Sequence, residues 1–116
     1  MNEYFILSYF FIFIGILEMV FSIPLIYMKI PPNRIYGFRT RETLNNEELW
    51  YKANRYGGRD LLIAGILVSI GGLLILLLNM DFFNGLWMML WFIIIPLIVV
   101  TMRNYLFIRR EIKLSK

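Results

Sequence analysis

The chain has 116 residues, of which 59% are hydrophobic, and a formal net charge of +4. This length limits it to one domain, and the hydrophobic content is too high for a water-soluble protein of this size. The absence of cysteine and histidine excludes disulfides, thiolate metal sites and the histidine-based chemistry of most hydrolases. We therefore expect a membrane protein that is not an enzyme and needs neither a cofactor nor a metal ion.

Three long apolar runs account for the excess of hydrophobic residues, at about residues 4–28, 61–78 and 82–102. About 20 residues of helix cross the ~30 Å hydrocarbon core of a bilayer, so each run is long enough to span it. Helices are expected because backbone groups in lipid must find their partners within the segment. The sequence predicts an all-α membrane protein with three transmembrane helices in a single domain, residues 1–116.

Positive charges are confined to two parts of the chain. All 12 Lys and Arg residues lie between residues 29 and 59 or between residues 103 and 116. Because positively charged segments remain in the cytoplasm, we expect a multi-pass protein of the cell membrane with its N-terminus outside. The motif loop, residues 29–60, and the tail, residues 103–116, are then cytoplasmic. The positive excess favours contact with anionic membrane lipids, and direct binding of nucleic acid is not expected.

The first half of the motif loop has the features of an ordered turn. Pro31 and Pro32 end the first helix, because the residue before a proline is disfavoured in helical conformation. Gly37 permits a turn that other residues would resist. Thr40 and Thr43 have no neighbouring base that would activate a hydroxyl, so we expect them to cap a helix or a turn.

The second half of the motif loop predicts a short helix that begins after Asn45 or Asn46, since either residue is a suitable N-cap. One face of this helix is apolar and the opposite face is charged, as in helices that lie in the headgroup layer. Gly57 and Gly58 are expected to end it. The apolar face consists of Leu49, Trp50, Ala53 and Tyr56. The predicted fold therefore adds a short cytoplasmic amphipathic interfacial helix to the three spans.

Small and polar residues recur at helical spacing in the first two spans. Small residues let helix backbones approach closely, which is how helices associate in lipid. We expect the two stripes to face each other within a three-helix bundle. They comprise Ser8, Gly15, Glu18 and Ser22 in the first span and Gly65, Ser69 and Gly72 in the second.

Glu18 is an ionisable residue deep inside a predicted span. Lipid favours the neutral form of a carboxyl group, so a protonated Glu18 is expected. Residues of this kind are functional candidates, for example as proton sites. The structural alternative is a hydrogen bond from Glu18 to Ser69, or to the carbonyl of Val20 that Pro24 leaves without a helix donor.

Arginine and asparagine side chains of the motif loop are the second group of candidates. Guanidinium groups suit phosphates and carboxylates, so they would hold a lipid headgroup or an acidic partner. The alternatives are that the arginines only fix the topology and that the polar side chains brace the loop by bonding its backbone. The group comprises Asn33, Arg34, Arg39, Arg41, Asn54, Arg55 and Arg59.

The motif loop also resembles the signature of the SdpI family of small bacterial membrane proteins, which is named for immunity to a sporulation-delaying peptide toxin. The resemblance covers about thirty residues. It rests on Ile30-Pro31-Pro32-Asn33-Arg34-Ile35-Tyr36-Gly37-Phe38-Arg39-Thr40, on Thr43-Leu44, and on Asn46-Glu47-Glu48, Trp50, Asn54-Arg55 and Gly58. The chain departs from the family pattern at two positions. Arg41 stands where many members have proline, and Asn54 stands where many have histidine.

The resemblance implies a protein that protects the cell against a membrane-active peptide and signals by holding a cytoplasmic regulator at the membrane. It matches the C-terminal three-span unit, and we expect no counterpart here of the namesake's additional N-terminal membrane half. The motif positions become the candidate binding residues. With their neighbours in the motif loop these are Pro32, Asn33, Tyr36, Gly37, Arg39, Thr40, Thr43, Trp50, Asn54, Arg55 and Gly58.

Two functions from different classes follow. In the first, an immunity-type protein binds a peptide toxin or shields its target, with lipids, a regulator and further copies of the chain as candidate partners. In the second, a small carrier or a lipid- and anion-binding subunit uses Glu18 as a proton site and the arginines to hold its substrate. The scarcity of polar residues in the spans favours the first function.

Overall fold

The structure is a computed structural model that describes residues 3–115, with side chains from residue 5 onward. It contains four helices in this part of the chain: α1 (Glu3–Ile26), α2 (Arg41–Leu44), α3 (Glu47–Leu77) and α4 (Phe82–Leu114). Three of them, α1, α3 and α4, are long and apolar enough to cross a membrane. The predicted class, an all-α membrane protein with three spanning helices, is confirmed.

The prediction of a separate interfacial helix is wrong, because α3 continues without a break through Gly57 and Gly58. A glycine inside a helix costs only about 1 kcal/mol relative to alanine, and both glycines are buried at close contacts. A Cβ at residue 57 would lie 2.5 Å from the ring of Phe38, and one at residue 58 would lie 3.1 Å from Leu25 and Ile26. The two glycines therefore allow close packing and do not form a turn.

The apolar face predicted at the start of α3 exists, but protein covers it. Leu49, Trp50 and Ala53 are buried. Leu49 and Ala53 form a cluster with Ile108 of α4, and the ring of Tyr56 stacks on that of Phe107 at a centroid distance of 4.3 Å. Helical periodicity predicted the apolar face correctly. The prediction that this face lies in the headgroup layer is wrong, because other parts of the protein cover it.

The predicted tail is also helical, since α4 extends to Leu114; Lys116 lies outside the described residues. With 31 and 33 residues, α3 and α4 are about 46 Å and 50 Å long and exceed the ~30 Å hydrocarbon core. The start of α3 lies beside the end of α4, where Lys52 and Glu111 are 3.7 Å apart. We call residues 27–60 and 103–115 the head. The molecule is accordingly elongated, 56 × 23 × 19 Å.

The small-residue stripes of α1 and α3 face each other, as predicted. The Ser8 hydroxyl donates to the Gly72 carbonyl at 2.6 Å, and a Cβ at Gly15 would lie 2.5 Å from the Gly65 carbonyl oxygen. α4 packs on α3 and has few contacts with α1. α3 is therefore the central helix of the described structure, with α1 and α4 beside it.

Candidate functional site

One asparagine side chain organises the first turn of the motif loop. Asn33 Oδ1 accepts hydrogen bonds from the backbone N–H groups of Ile35 (2.8 Å) and Tyr36 (2.7 Å). Its Nδ2 donates to the carbonyl groups of Pro31 (2.8 Å) and Tyr36 (3.0 Å). Bonds of this kind between asparagine and its own turn are a local alternative to helix or sheet pairing. Asn33 thus fixes the turn from within.

Gly37 occupies a backbone conformation that requires glycine. Its φ is +120°, where L-residues with a side chain are strained. A Cβ would also lie 2.6 Å from Asn54 Oδ1 and 3.0 Å from the Trp50 ring. The predicted turn at this residue is confirmed, and the turn brings the loop directly onto α3.

Two side chains of α3 hold the part of the motif loop that precedes this helix, residues 29–46, which is the motif loop as the structure shows it. Asn54, only 2% exposed, accepts from the Phe38 N–H at 2.5 Å and donates to the carbonyls of Phe38 (3.3 Å) and Trp50 (2.9 Å). Trp50 is fully buried, and its indole N–H donates to the Ile30 carbonyl at 2.8 Å. The loop is therefore fixed to α3 on both sides of the Asn33 turn.

Thr40 and Thr43 form the N-terminal cap of α2, as predicted. The Thr43 N–H donates to the Thr40 hydroxyl at 3.1 Å, and the Thr40 N–H donates to the Thr43 hydroxyl at 2.8 Å. This reciprocal pair is a capping box. Both hydroxyl groups are engaged in structure, and the Thr43 side chain is buried.

Tyr36 connects the motif loop to the first spanning helix. Its phenolic O–H donates to the Phe21 carbonyl of α1, and the two rings meet edge to face with centroids 5.9 Å apart. Partial burial raises the pKa of the Tyr36 phenol above its usual value, because the charged form loses solvation. The phenol is thus neutral and able to donate throughout the physiological pH range.

Asn104 of α4 belongs to the same network, although the sequence reasoning missed it. It is buried, and its Nδ2 donates to the Ala53 carbonyl at 2.8 Å. Its side chain also lies 2.8 Å from the place of a Cβ on Gly57. The sequence contains a signal for it, because Val100, Asn104 and Ile108 follow one another at four-residue spacing and so share one face of a helix. The structure shows that all three are buried. The pattern was missed because residues 103–116 were predicted to be a tail and not part of a helix.

Apart from Arg39, the charged candidates contribute no side-chain hydrogen bond to this network. Arg34, Arg39, Arg41, Arg55 and Arg59 are all exposed. Arg39 donates to the Arg34 carbonyl, so it also stabilises the loop. Pro32 is half-buried, and Gly58 is buried against α1. Uncharged residues and Arg39 thus build the head, whereas the other four arginines lie on its surface. Their binding role stays a prediction.

Glu18 and Ser69 both lie in the contact between α1 and α3 but do not form the predicted hydrogen bond. The Ser69 hydroxyl donates to the Ile12 carbonyl at 3.4 Å. Glu18 Oε2 is buried and has no hydrogen-bond partner among the described residues. This isolated oxygen is an exception to the rule that buried polar atoms are paired. Among the side chains that the structure describes, residues 5–115, no group of acidic residues is arranged to hold a metal ion.

A model of the SdpI/YfhL protein family matches residues 29–103, which is more than half of the chain. The chain belongs to this family. The match begins after α1 and includes the whole motif loop, α2, α3 and α4 as far as Arg103. The network described above is therefore located in the family's own region, and the resemblance seen in the sequence is confirmed.

The relative YfhL of Bacillus subtilis (strain 168), named as an uncharacterized protein, is 37% identical over 43 residues. These residues are 37% of this chain and 39% of YfhL, so the chain matches about two fifths of that relative's length. No solved structure matches the protein.

Replacing Asn54 by alanine should release the motif loop from α3. The Phe38 N–H would lose its acceptor, and a buried group left unpaired costs about 1–3 kcal/mol. Trypsin cleavage after Arg39 and Arg41 in detergent-solubilised protein should become faster, and the free energy of unfolding should fall by this amount. Asn45→Ala is the matched control because Asn45 is exposed. Equal cleavage rates in the two variants would contradict the clamping role of Asn54.

Proposed function

We propose that the protein is an immunity-type membrane protein that protects the cell against a membrane-active peptide by binding and not by catalysis. It is a multi-pass membrane protein of the SdpI/YfhL family, and the proposal goes beyond that assignment. The observation that carries it is the division of the motif. Uncharged motif residues hold the head in one conformation, while the arginines remain exposed.

A fixed surface of this kind is suited to recognition. Ordering a loop during association costs free energy, and a surface ordered in advance avoids that cost. Exposed guanidinium groups bind carboxylates and phosphates through two parallel hydrogen bonds. The hydroxyls of Thr40 and Thr43, the candidate nucleophiles of the motif loop, are engaged in the α2 cap. The arrangement therefore supports a binding function better than a chemical one.

The distribution of positive charge supports the orientation that this function needs. Lys29 and the arginines of the motif loop lie at the same end of the molecule as the basic end of α4. Under the positive-inside rule this end is cytoplasmic. A peptide toxin would then be met within the bilayer, and the head would be available to an acidic cytoplasmic regulator or to anionic lipid.

Deleting the gene should increase sensitivity to membrane-active peptides, measured as the minimal inhibitory concentration. Wild-type protein and Lys113→Ala should restore resistance, whereas Arg55→Ala should restore it only in part. Lys113 is the matched control because it is also an exposed helical cation. Immunoblots of membrane fractions establish equal amounts of the three proteins. Unchanged sensitivity of the deletion strain would contradict protection, and full restoration by Arg55→Ala would exclude a role for that arginine.

Glu18 supports a second candidate, a small proton-coupled carrier or an anion-binding subunit. Its unpaired buried oxygen is the specific observation in favour, since carboxyl groups inside membranes commonly serve proton or ion pathways. The other polar side chains of the two stripes, those of Ser8, Ser22 and Ser69, are bonded to backbone carbonyls. They do not form a visible relay with Glu18.

Glu18→Gln separates the two functions, because glutamine keeps the size of the side chain and cannot release a proton. If the protein acts by binding alone, Glu18→Gln should retain peptide resistance, and reconstituted vesicles should show no proton flux with either form. Ser69→Ala serves as a control in the same helix contact. Proton uptake by wild-type vesicles that is abolished in Glu18→Gln and kept in Ser69→Ala would favour the carrier.

A further inference from the structure

Between residues 30 and 38, many backbone N–H and carbonyl groups of the motif loop have hydrogen-bond partners within the protein. Side chains of the protein accept from the N–H groups of Ile35, Tyr36 and Phe38 and donate to the carbonyls of Ile30, Pro31, Arg34, Tyr36 and Phe38. Pro31 and Pro32 have no N–H to satisfy. Irregular backbone is tolerated next to hydrocarbon only when the protein itself provides its hydrogen-bond partners. This loop meets that condition to a large extent.

The loop also folds back towards the membrane instead of projecting away from it. Tyr36 donates to the carbonyl of Phe21, which precedes the end of α1 at Ile26 by five residues. At 1.5 Å per residue, the phenol reaches about 7 Å below the end of that helix. Tyrosine is enriched at this depth, where its ring lies in the apolar region and its hydroxyl finds a polar partner. Tyr36 therefore places the loop beside the end of α1, the end that we expect at the lipid headgroups.

The side chain of Ile35, at the tip of the loop, is not packed against the protein, although its backbone N–H is bonded to Asn33. It is 89% exposed, although its two neighbours, Arg34 and Tyr36, are bonded into the head through their backbone or side chains. Burying an isoleucine side chain stabilises by about 1.5–3 kcal/mol. Single exposed apolar residues are common on soluble surfaces, but here the tip lies beside a residue that already enters the membrane level.

We propose that residues 31–37 are seated in the lipid leaflet on the side of the head, with Ile35 inserted between phospholipids and Arg34 beside their phosphates. The occupant of this surface is the membrane lipid itself. Apolar insertion and electrostatic attraction to anionic lipid reinforce each other in such contacts. The seated loop would hold the head at a fixed height and angle on the membrane, whether or not the protein confers peptide resistance.

Depth-dependent quenching tests this proposal directly. The protein has no cysteine, so Ile35→Cys and Asn45→Cys each carry one bimane label after reconstitution into vesicles of phosphatidylcholine and phosphatidylglycerol. Both sites are exposed, so neither substitution disturbs the packing. Asn45 is the control because it lies just before α3, whose first residue, Glu47, is about 16 Å along the helix axis from Gly58. Gly58 packs against Leu25 and Ile26 at the end of α1. Quenchers are nitroxides attached to lipid acyl chains and aqueous iodide.

The label at residue 35 should be quenched severalfold more strongly by the lipid nitroxides than the label at residue 45, and less strongly by iodide. Adding Asn33→Ala should shift the label at residue 35 towards iodide, because the loop backbone loses its internal partners. Equal iodide quenching at residues 35 and 45 would overturn the proposal. An unchanged depth in the Asn33→Ala background would overturn the role of backbone satisfaction in seating the loop.

Discussion

The close approach of the motif loop and of α1 to the central helix depends on the absence of side chains at residues 57 and 58. The ring of Phe38 lies where a Cβ of Gly57 would stand, and Leu25 and Ile26 lie against Gly58. α3 remains helical there because the packing outweighs the low helix propensity of glycine, about 1 kcal/mol per residue. One continuous helix therefore connects the contact with α1 to the head.

The rest of the head follows from that continuity. Because α3 is one helix across the two glycines, Trp50 and Asn54 face the motif loop and bond to its backbone. Asn104 joins α4 to the same turn of α3 through the Ala53 carbonyl. The Arg103–Asp60 ion pair, with a 2.8 Å N–O distance, lies about two turns closer to the spans. The uncharged polar side chains of the motif therefore hold the shape of the head. The arginines outside this network are the groups available to partners.

Local and periodic signals predicted a large part of this structure. The three spans, the Asn46 cap of α3, the turn at Gly37 and the facing stripes of α1 and α3 depend on composition or on helical spacing, and all are found. Contacts between distant residues were not predictable. The ring beside Gly57 comes from Phe38, and no residue close to Gly57 in the sequence indicates this contact. A hydrogen bond between Glu18 and Ser69 was one of the structural alternatives, but the Ser69 hydroxyl donates to the carbonyl of Ile12.

Continuity of α3 across Gly57 and Gly58 is the central claim, and a distance between two spin labels tests it directly. Glu48 and Ile70 are both exposed on α3, on opposite sides of the two glycines. Twenty-two residues of straight helix place their backbones about 33 Å apart, whereas a right-angled bend at the glycines would reduce this to about 24 Å. Double electron–electron resonance on a protein labelled at these two positions in vesicles should give a single distribution near the longer distance. A distribution centred near the shorter distance would contradict the account and restore a separate interfacial helix.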